Sequence, residues 1–520
     1  MNHRSTWLAL ITASLLSIIW FANIADAQGP NPRAPRATFT VNSTTDAVDA
    51  APGNGVCATV GSVCTLRAAI QEANALAGDD TIIVPAGTYT LTIAGAGEDA
   101  ATTGDLDITS NLIINGGGAG ITIINANWVD RVLHVTGVFA VNISGVTITH
   151  GNASGGGIRN DGGTLAITNS TIFDNNSGTD SGGIFSSGTL NITNSTISDN
   201  NAGTDAGGIR SSGAMTITNS TFSTNNAGAD GGAIFSSSTL AVTNSTFSTN
   251  NAGSDGGGIF GSGTLAVTNS TFSNNNTLTN GGAIYSTVAL TVTSSTFSTN
   301  NAGNGGAISD GGGTIAITHS TFSGNTASTG GGIRTRFAVT VANSTFSDND
   351  AGSGDAIYTS SGTLGVTNST IFGRIAEEDG PVAGPVIGGG GVYNNGGTIT
   401  LRNTIVASHD SGGNCVGVIT NGGNNIDDRT TCGWGSANGS MSNTNPLLGA
   451  LTGSPAYFSL NKGSPAIDAG NNAVCAAAPV NNTSQNGITR PTDGDGNGTA
   501  ICDMGAFEVF IGMYLPYIVK

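Results

Sequence analysis

Asp493-Gly494-Asp495-Gly496-Asn497-Gly498 sets oxygen donors at the first, third and fifth positions of a loop and glycine at the sixth, the spacing that wraps a hard divalent cation. With two further oxygen donors downstream, Asp493, Asp495, Asn497, Thr499 and Asp503 make a candidate calcium set. The twelfth position holds Met504 where such loops carry glutamate, so an acidic glycine-rich turn between Cys475 and Cys502 is the plainer reading. A second series of carboxylates, Asp180, Asp205, Asp230 and Asp255, recurs every 25 residues, and Asn280 and Asn304 continue it. Stacked about 4.8 Å apart, such groups repel by roughly 1 kcal/mol per neighbour in water. That suits either a solvated turn or a cation-binding stripe. A third series, Phe185, Arg210, Phe235, Phe260, Tyr285, Ser309, Arg334 and Tyr358, follows an isoleucine each time. Its rings offer a platform for apolar sugar faces, and Arg210 and Arg334 offer partners for carboxylates. No acid–base pair stands out: His150, Arg159, Arg210, His319, Arg334 and Arg336 are scattered, and lysine is missing from the repeats. No catalytic residue is assigned, and no catalysis is expected.

The interval that spaces these rows also dictates the elements that carry them. Asn-Ser-Thr begins at Asn169, Asn194, Asn219, Asn244 and Asn269, and Ser294, His319, Asn343 and Asn368 keep the place with small changes. A unit of this length cannot bury its apolar side alone, so copies must stack as a solenoid. Runs such as Leu265-Ala266-Val267 and Thr291-Val292-Thr293 are β-branched and lack a helical period. Gly, Asn, Ser and Asp clusters between them are turn chemistry. Three short strands and three turns fill the unit, which gives one coil of a right-handed parallel β-helix, an all-β fold. About 13 coils at the strand spacing make a rod about 60 Å long. The isoleucines from Ile184 to Ile357 are expected inside, which turns the residues after them outward. The Asn-Ser-Thr column and a second column, Asn175 through Asn349, are expected to form hydrogen-bonded amide ladders in preference to glycosylated sites.

Toward its two ends the chain departs from the repeat. Residues 1–27 read as an export signal, with Arg4, an apolar stretch from Leu8 to Ile24 and Ala25-Asp26-Ala27 for cleavage. A Pro-rich spacer (28–37) follows, then a cap (38–80) with one helix over Thr65 to Ala77 that covers the open end of the coils. Coils occupy 81–411, interrupted by an insertion near Arg374 to Ala383; a C-terminal region spans 412–510 and a tail 511–520. Cys57 with Cys64, Cys415 with Cys432, and Cys475 with Cys502 lie close in sequence, and local disulfides are the simplest pairing in an exported chain. Zinc would need tighter Cys spacing or paired histidines. Charged residues are only 9% and the net charge is −18, which excludes nucleic acid and anionic membrane as partners. No membrane-spanning segment is expected in the mature chain.

Cys64-Thr65-Leu66-Arg67-Ala68-Ala69 resembles the CSLREA motif of exported β-helix proteins. Asn445-Pro446-Leu447-Leu448 with Gly463-Ser464-Pro465-Ala466-Ile467-Asp468-Ala469-Gly470 resembles their C-terminal choice-of-anchor Q domain. Gly231 to Ile234 and Phe222 to Asn225, with their repeats, are similar to the GGAI and FxxN tetrapeptides of polymorphic outer membrane proteins. These resemblances imply a pectin-lyase-like β-helix with an N-terminal capping helix and a disulfide-bearing C-terminal region, outside the cell or at its surface. They imply no activity, because this fold hosts enzymes and adhesins alike. Three functions follow as expectations: a non-catalytic adhesin-like or envelope-associated protein that binds an extracellular glycan or cell-surface component, a polysaccharide lyase or glycoside hydrolase, or a structural spacer. Calcium is the one cofactor expected.

Overall fold

A computed structural model describes residues 36–373, 389–409 and 412–510. The export signal, nearly all of the spacer, the insertion at Arg374 to Ala383 and the tail lie outside them. The chain winds into a right-handed parallel β-helix whose coils stack as ladders of 15, 13, 15 and 8 strands. The stacking is residue for residue at the sequence interval: Ile234 pairs with Ile259, Leu240 with Leu265, and Thr246 with Thr271.

Alternation sorts each strand. In the first ladder Leu240 and Val242 point inward while Ala241 and Thr243 are half-buried outside. In the second, Ile184, Ile209, Ile234, Ile259, Ile284, Ile308, Ile333 and Ile357 are fully buried. In the third, Phe222, Phe247, Phe272, Phe297, Phe322 and Phe346 fill the rod's interior as one stack of near-parallel rings, 4.7 to 5.0 Å apart. Stacking identical side chains keeps every coil the same shape, which is why the period persists.

The regular coil has four strands, where the sequence suggested three. The fourth is a two-residue ladder, Asn201–Ala202 on Asn226–Ala227 on Asn251–Ala252. Alanine turns inward and leaves the asparagines to hydrogen-bond along the outside, Asn226 Nδ2 to Asn201 Oδ1 at 2.7 Å and Asn251 Nδ2 to Asn226 Oδ1 at 2.8 Å.

The two expected amide ladders part company. The column from Asn175 to Asn349 is buried and continuous: Asn250 Nδ2 donates to Asn275 Oδ1 at 2.9 Å and also to the Phe222 carbonyl at 3.0 Å. The Asn-Ser-Thr asparagines of the regular coils, Asn169, Asn194, Asn219, Asn244 and Asn269, are exposed instead and have φ between 49° and 51°; Asn343 and Asn368 keep the left-handed backbone but are buried. Their role is the left-handed corner, which asparagine tolerates better than most residues. The serine after each asparagine supplies the buried polar contact there, as when Ser220 Oγ donates to the Thr218 carbonyl at 2.8 Å.

At the N-terminal end, β1 (Thr38–Thr40) joins the first ladder beside β2 (Asp80–Val84), and α1 (Leu66–Ala75) packs on the core. Thr65 caps α1 by accepting from the Ala68 N–H, and Leu76 is already extended, so the helix stops short of the expected Ala77. Arg67 of the CSLREA-like segment is fully buried; it pairs with Asp46 at 2.6 Å and donates to the carbonyls of Ala101, Gly104 and Asp105. At the other end the ladders run on through Ile419–Asn421, Ile426–Asp427 and Met441–Ser442. The remainder folds back along the outside of the third ladder. Gln485 bonds Thr345 and Thr321, Phe372 meets Phe458, and the Gly505 N–H donates to the Asn403 carbonyl. Three disulfides form as the local pairing suggests: Cys57–Cys64, Cys415–Cys432 and Cys475–Cys502. No helix among the described residues is long and apolar enough to cross a membrane.

Candidate functional site

The outer face of the second ladder carries one unbroken column. In register, coil by coil, stand Asp107, His134, Arg159, Phe185, Arg210, Phe235, Phe260, Tyr285, Ser309, Arg334, Tyr358 and Tyr393. The seven residues expected as a ligand stripe, Phe185, Arg210, Phe235, Phe260, Tyr285, Arg334 and Tyr358, are all half-buried and share this face. Their rings touch. Phe235 and Phe260 stack with centroids 4.7 Å apart and planes within 6°, while Tyr285 tilts 45° from Phe260. Arg159 and Tyr393 extend the column at either side. Arg159 follows the same Gly-Gly-Ile phrase, so the repeat contained it; Tyr393 lies beyond the insertion, which hides the register in sequence. His134 and Asp107 sit in irregular coils that carry no such phrase.

The two arginines expected to meet carboxylates differ. Arg210 Nη1 pairs with Asp180 Oδ2 at 2.5 Å, and its guanidinium lies 5.3 Å from the Phe235 ring and 6.0 Å from that of Phe185. It is a filler of the column, held by its own aspartate. The Arg334 guanidinium has no hydrogen bond or ion pair among the described residues. Burial holds its pKa below the usual arginine value, and the neighbouring Arg336 pushes the same way.

The aspartate column runs beside the first half of the stripe. Asp180 takes Arg210 and the Thr204 hydroxyl; Asp205 and Asp230 each accept the next coil's N–H, from Asp230 and Asp255 at 3.4 and 3.1 Å. Asp255 accepts both the N–H and the Nδ2 of Asn280, and the column continues neutral through Asn280, Asn304 and Thr329. Burial raises the Asp230 pKa; the Asp255 N–H opposes this, and Asp255 and Asp205 add to it. These carboxylates are already engaged within the turn.

The C-terminal loop brings a different acid set together from the expected one. Asp493 and Asp495 meet Asp468, with carboxylate oxygens of the three within 4.8 Å of one another. Asp503 is buried, and its oxygens accept the N–H groups of Asp468 at 2.8 Å and Val509 at 2.6 Å. Burial, with Glu508 nearby, pushes its pKa up to about 7, which makes it a poor cation ligand. Asn497 and Thr499 remain in the loop, where the Thr499 N–H donates to Asn497 Oδ1. Three carboxylate oxygens suit a hard cation, but Asp493 and Asp468 already accept N–H groups from Gly496, Gly498, Gly494 and Asp495.

At the N-terminal end of the column lies a charged cluster that residue spacing did not reveal. His134 Nδ1 stands 3.2 Å from Asp107 and 3.8 Å from the exposed Asp99, and Nε2 stands 2.9 Å from Asp161. The oxygens of Asp99 and Asp107 and a ring nitrogen of His134 make a second donor set within 4.8 Å, yet both ring nitrogens have carboxylate partners. Burial works to lower the His134 pKa, but hydrogen bonds that its ring makes to Asp107 and Asp161 win and raise it. Asp105 pairs with Arg131; burial nonetheless pushes it up to about 6, with Asp107 and Asp130 adding to the shift.

The profile of the right-handed β-helix region family matches residues 131–297. No curated protein matches the chain. Solved structures with similar folds include the catalytic unit of a thermostable GH87 α-1,3-glucanase from Streptomyces thermodiastaticus, at 17% identity and TM-score 0.34, covering 77% of this chain and 69% of that one. A mannuronic acid specific polysaccharide family 6 lyase from human gut microbiota has 13% identity and TM-score 0.30, covering 66% and 77%. Pectate lyase Pel9A has 13% identity and TM-score 0.30, covering 92% and 97%.

Proposed function

We propose that the chain is a non-catalytic extracellular rod that binds glycans along the outer face of its second ladder. One observation carries the reading: half-buried rings stand on successive coils of a straight parallel ladder, with Phe235 and Phe260 stacked at 4.7 Å and Tyr285 next in line. Such a row presents ring surface to a chain of sugars while each coil holds its neighbours rigid, so little order is lost on binding. Three disulfides, a low charge content and the CSLREA-like and choice-of-anchor Q-like segments support an exported, adhesin-like or envelope-associated role. Rings that merely stabilise successive coils are the competing account. A glycan-array screen of the full chain tests the reading; a folded protein that retains no glycan defeats it.

Carbohydrate chemistry is the alternative function, and the cluster around His134 is where it would reside. There, histidine and carboxylates of shifted pKa gather on one end of the column. Their partners are one another, which favours a structural network. Incubation with acidic and neutral polysaccharides is expected to release no unsaturated or reducing ends; turnover lost in His134→Ala or Arg334→Gln would establish an enzyme.

A further inference from the structure

The column is not uniform along the rod. Beside Phe185, Arg210, Phe235 and Phe260 runs the aspartate column, Asp180 to Asp255. From the Tyr285 coil onward its places are taken by Asn280, Asn304 and Thr329, which are neutral. The arginines follow the same division. Arg159 and Arg210 each hold an aspartate, Asp161 and Asp180. Arg334 holds none among the described residues, and Arg336, two residues on, is exposed and likewise unpaired among them. Among the described residues the acid that acts on Arg334 is Asp310, which is buried; its oxygens accept from the Thr335 hydroxyl at 2.6 Å and the Arg336 N–H at 2.8 Å, and burial raises its pKa. In the column, Ser309 lies between Tyr285 and Arg334, fully buried, with an Oγ that has no hydrogen-bond partner. A half-buried guanidinium without an acceptor among the described residues is costly, more so beside a second arginine.

Resting on the glycan-binding reading, we propose that the stripe is polar: Arg334 and Arg336 form a subsite for the anionic group of an acidic sugar, and the Phe185 to Phe260 segment takes neutral sugar faces. Tyr285 and Tyr358 flank the subsite on adjoining coils, and the planar guanidinium of Arg334 suits a carboxylate or a sulfate ester, both of which accept two parallel N–H bonds. The aspartates repel the same anion from the other half, so the two halves fix the direction in which a mixed glycan lies.

The test is equilibrium binding of the full chain to an oligo-uronate, to the methyl ester of the same oligomer and to a neutral oligosaccharide carrying one sulfate. The acid should bind about tenfold or more tightly than its ester, with a preference that falls as salt rises. Arg334→Gln with Arg336→Gln should bring the acid down to the level of the ester and leave the ester unchanged, and Arg334→Lys should retain part of the preference. The sulfated probe tells the sources apart: equal binding marks a general anion site, weaker binding a carboxylate site. Equal binding of acid and ester, or a preference that survives both glutamine substitutions, overturns the subsite while leaving the platform reading intact. Binding of neither oligomer overturns both.

Discussion

Asp180 and Arg210, thirty residues apart in sequence, meet at 2.5 Å across adjacent coils of the rod. The pair is about one-third exposed, so it contributes roughly 0–1 kcal/mol; the ring contacts to Phe185 and Phe235 add about 0.5–1 kcal/mol. Arg210→Gln should therefore lower stability by about 0.5–2 kcal/mol in denaturant unfolding. It should not change affinity for an acidic glycan, because the guanidinium is already neutralised. A loss of acidic-glycan binding in this variant would contradict that assignment.

The buried asparagine column should matter far more than the exposed one. Asn250→Leu removes the donor to Asn275 and the acceptor for Asn225 in the interior, at a cost of about 1–3 kcal/mol for each group left unpaired. Asn244, with φ 51° and an exposed side chain, should give up no more than about 1–2 kcal/mol on replacement by leucine, from the left-handed backbone alone. Parallel denaturation curves of the two variants check the order; equal losses would mean that the columns are equivalent after all.

Stability at the N-terminal end should fall as pH rises. Asp105 has a folded pKa of about 6 against an ordinary 3.8, so its protonated form favours the fold; that contribution is complete below 3.8 and is lost as pH passes through about 6. His134, also raised, acts in the same direction at a higher pH. The melting temperature should be higher at pH 5 than at pH 8, and Asp105→Asn should remove part of the difference. A wild-type difference that the variant reproduces in full would clear Asp105 of the effect.

Much of this was legible in the sequence, because the repeat forces side chains into columns and strand alternation says which columns face out. The inward isoleucines and the outward stripe follow from that alone, and the local disulfides from the closeness of each cysteine pair in sequence. The fourth strand was hidden because Asn-Ala is too short to show alternation, and the exposed asparagines because a left-handed corner and a buried ladder ask for the same residue. Tertiary proximity was the other blind spot. Asp468 lies 25 residues before Asp493, yet it takes the place that Asp503, in the same loop, was expected to fill. Nor does any repeat link Asp107, His134 and Asp161.

Calcium should bind through Asp468, Asp493 and Asp495, the three carboxylates that the loop brings together. Adding calcium to chelator-treated protein should then raise the melting temperature, because a ligand of the folded form alone stabilises it by mass action. Asp495→Ala should abolish the rise, and Asp503→Asn should leave it. An unchanged melting curve would remove calcium from the protein's chemistry.

The most direct test of the glycan-binding stripe is replacement of Phe235, Phe260 and Tyr285 together by serine, with the full chain and the variant compared on one glycan array. Serine already occupies the same column at position 309, so the coil accepts it and thermal unfolding provides the check on folding. The variant should unfold cooperatively and lose about tenfold or more in affinity for the glycans that the parent retains, as expected when stacked rings supply the contact. A variant that folds and binds every one of those glycans as the parent does would contradict the account and leave the rings a purely structural role.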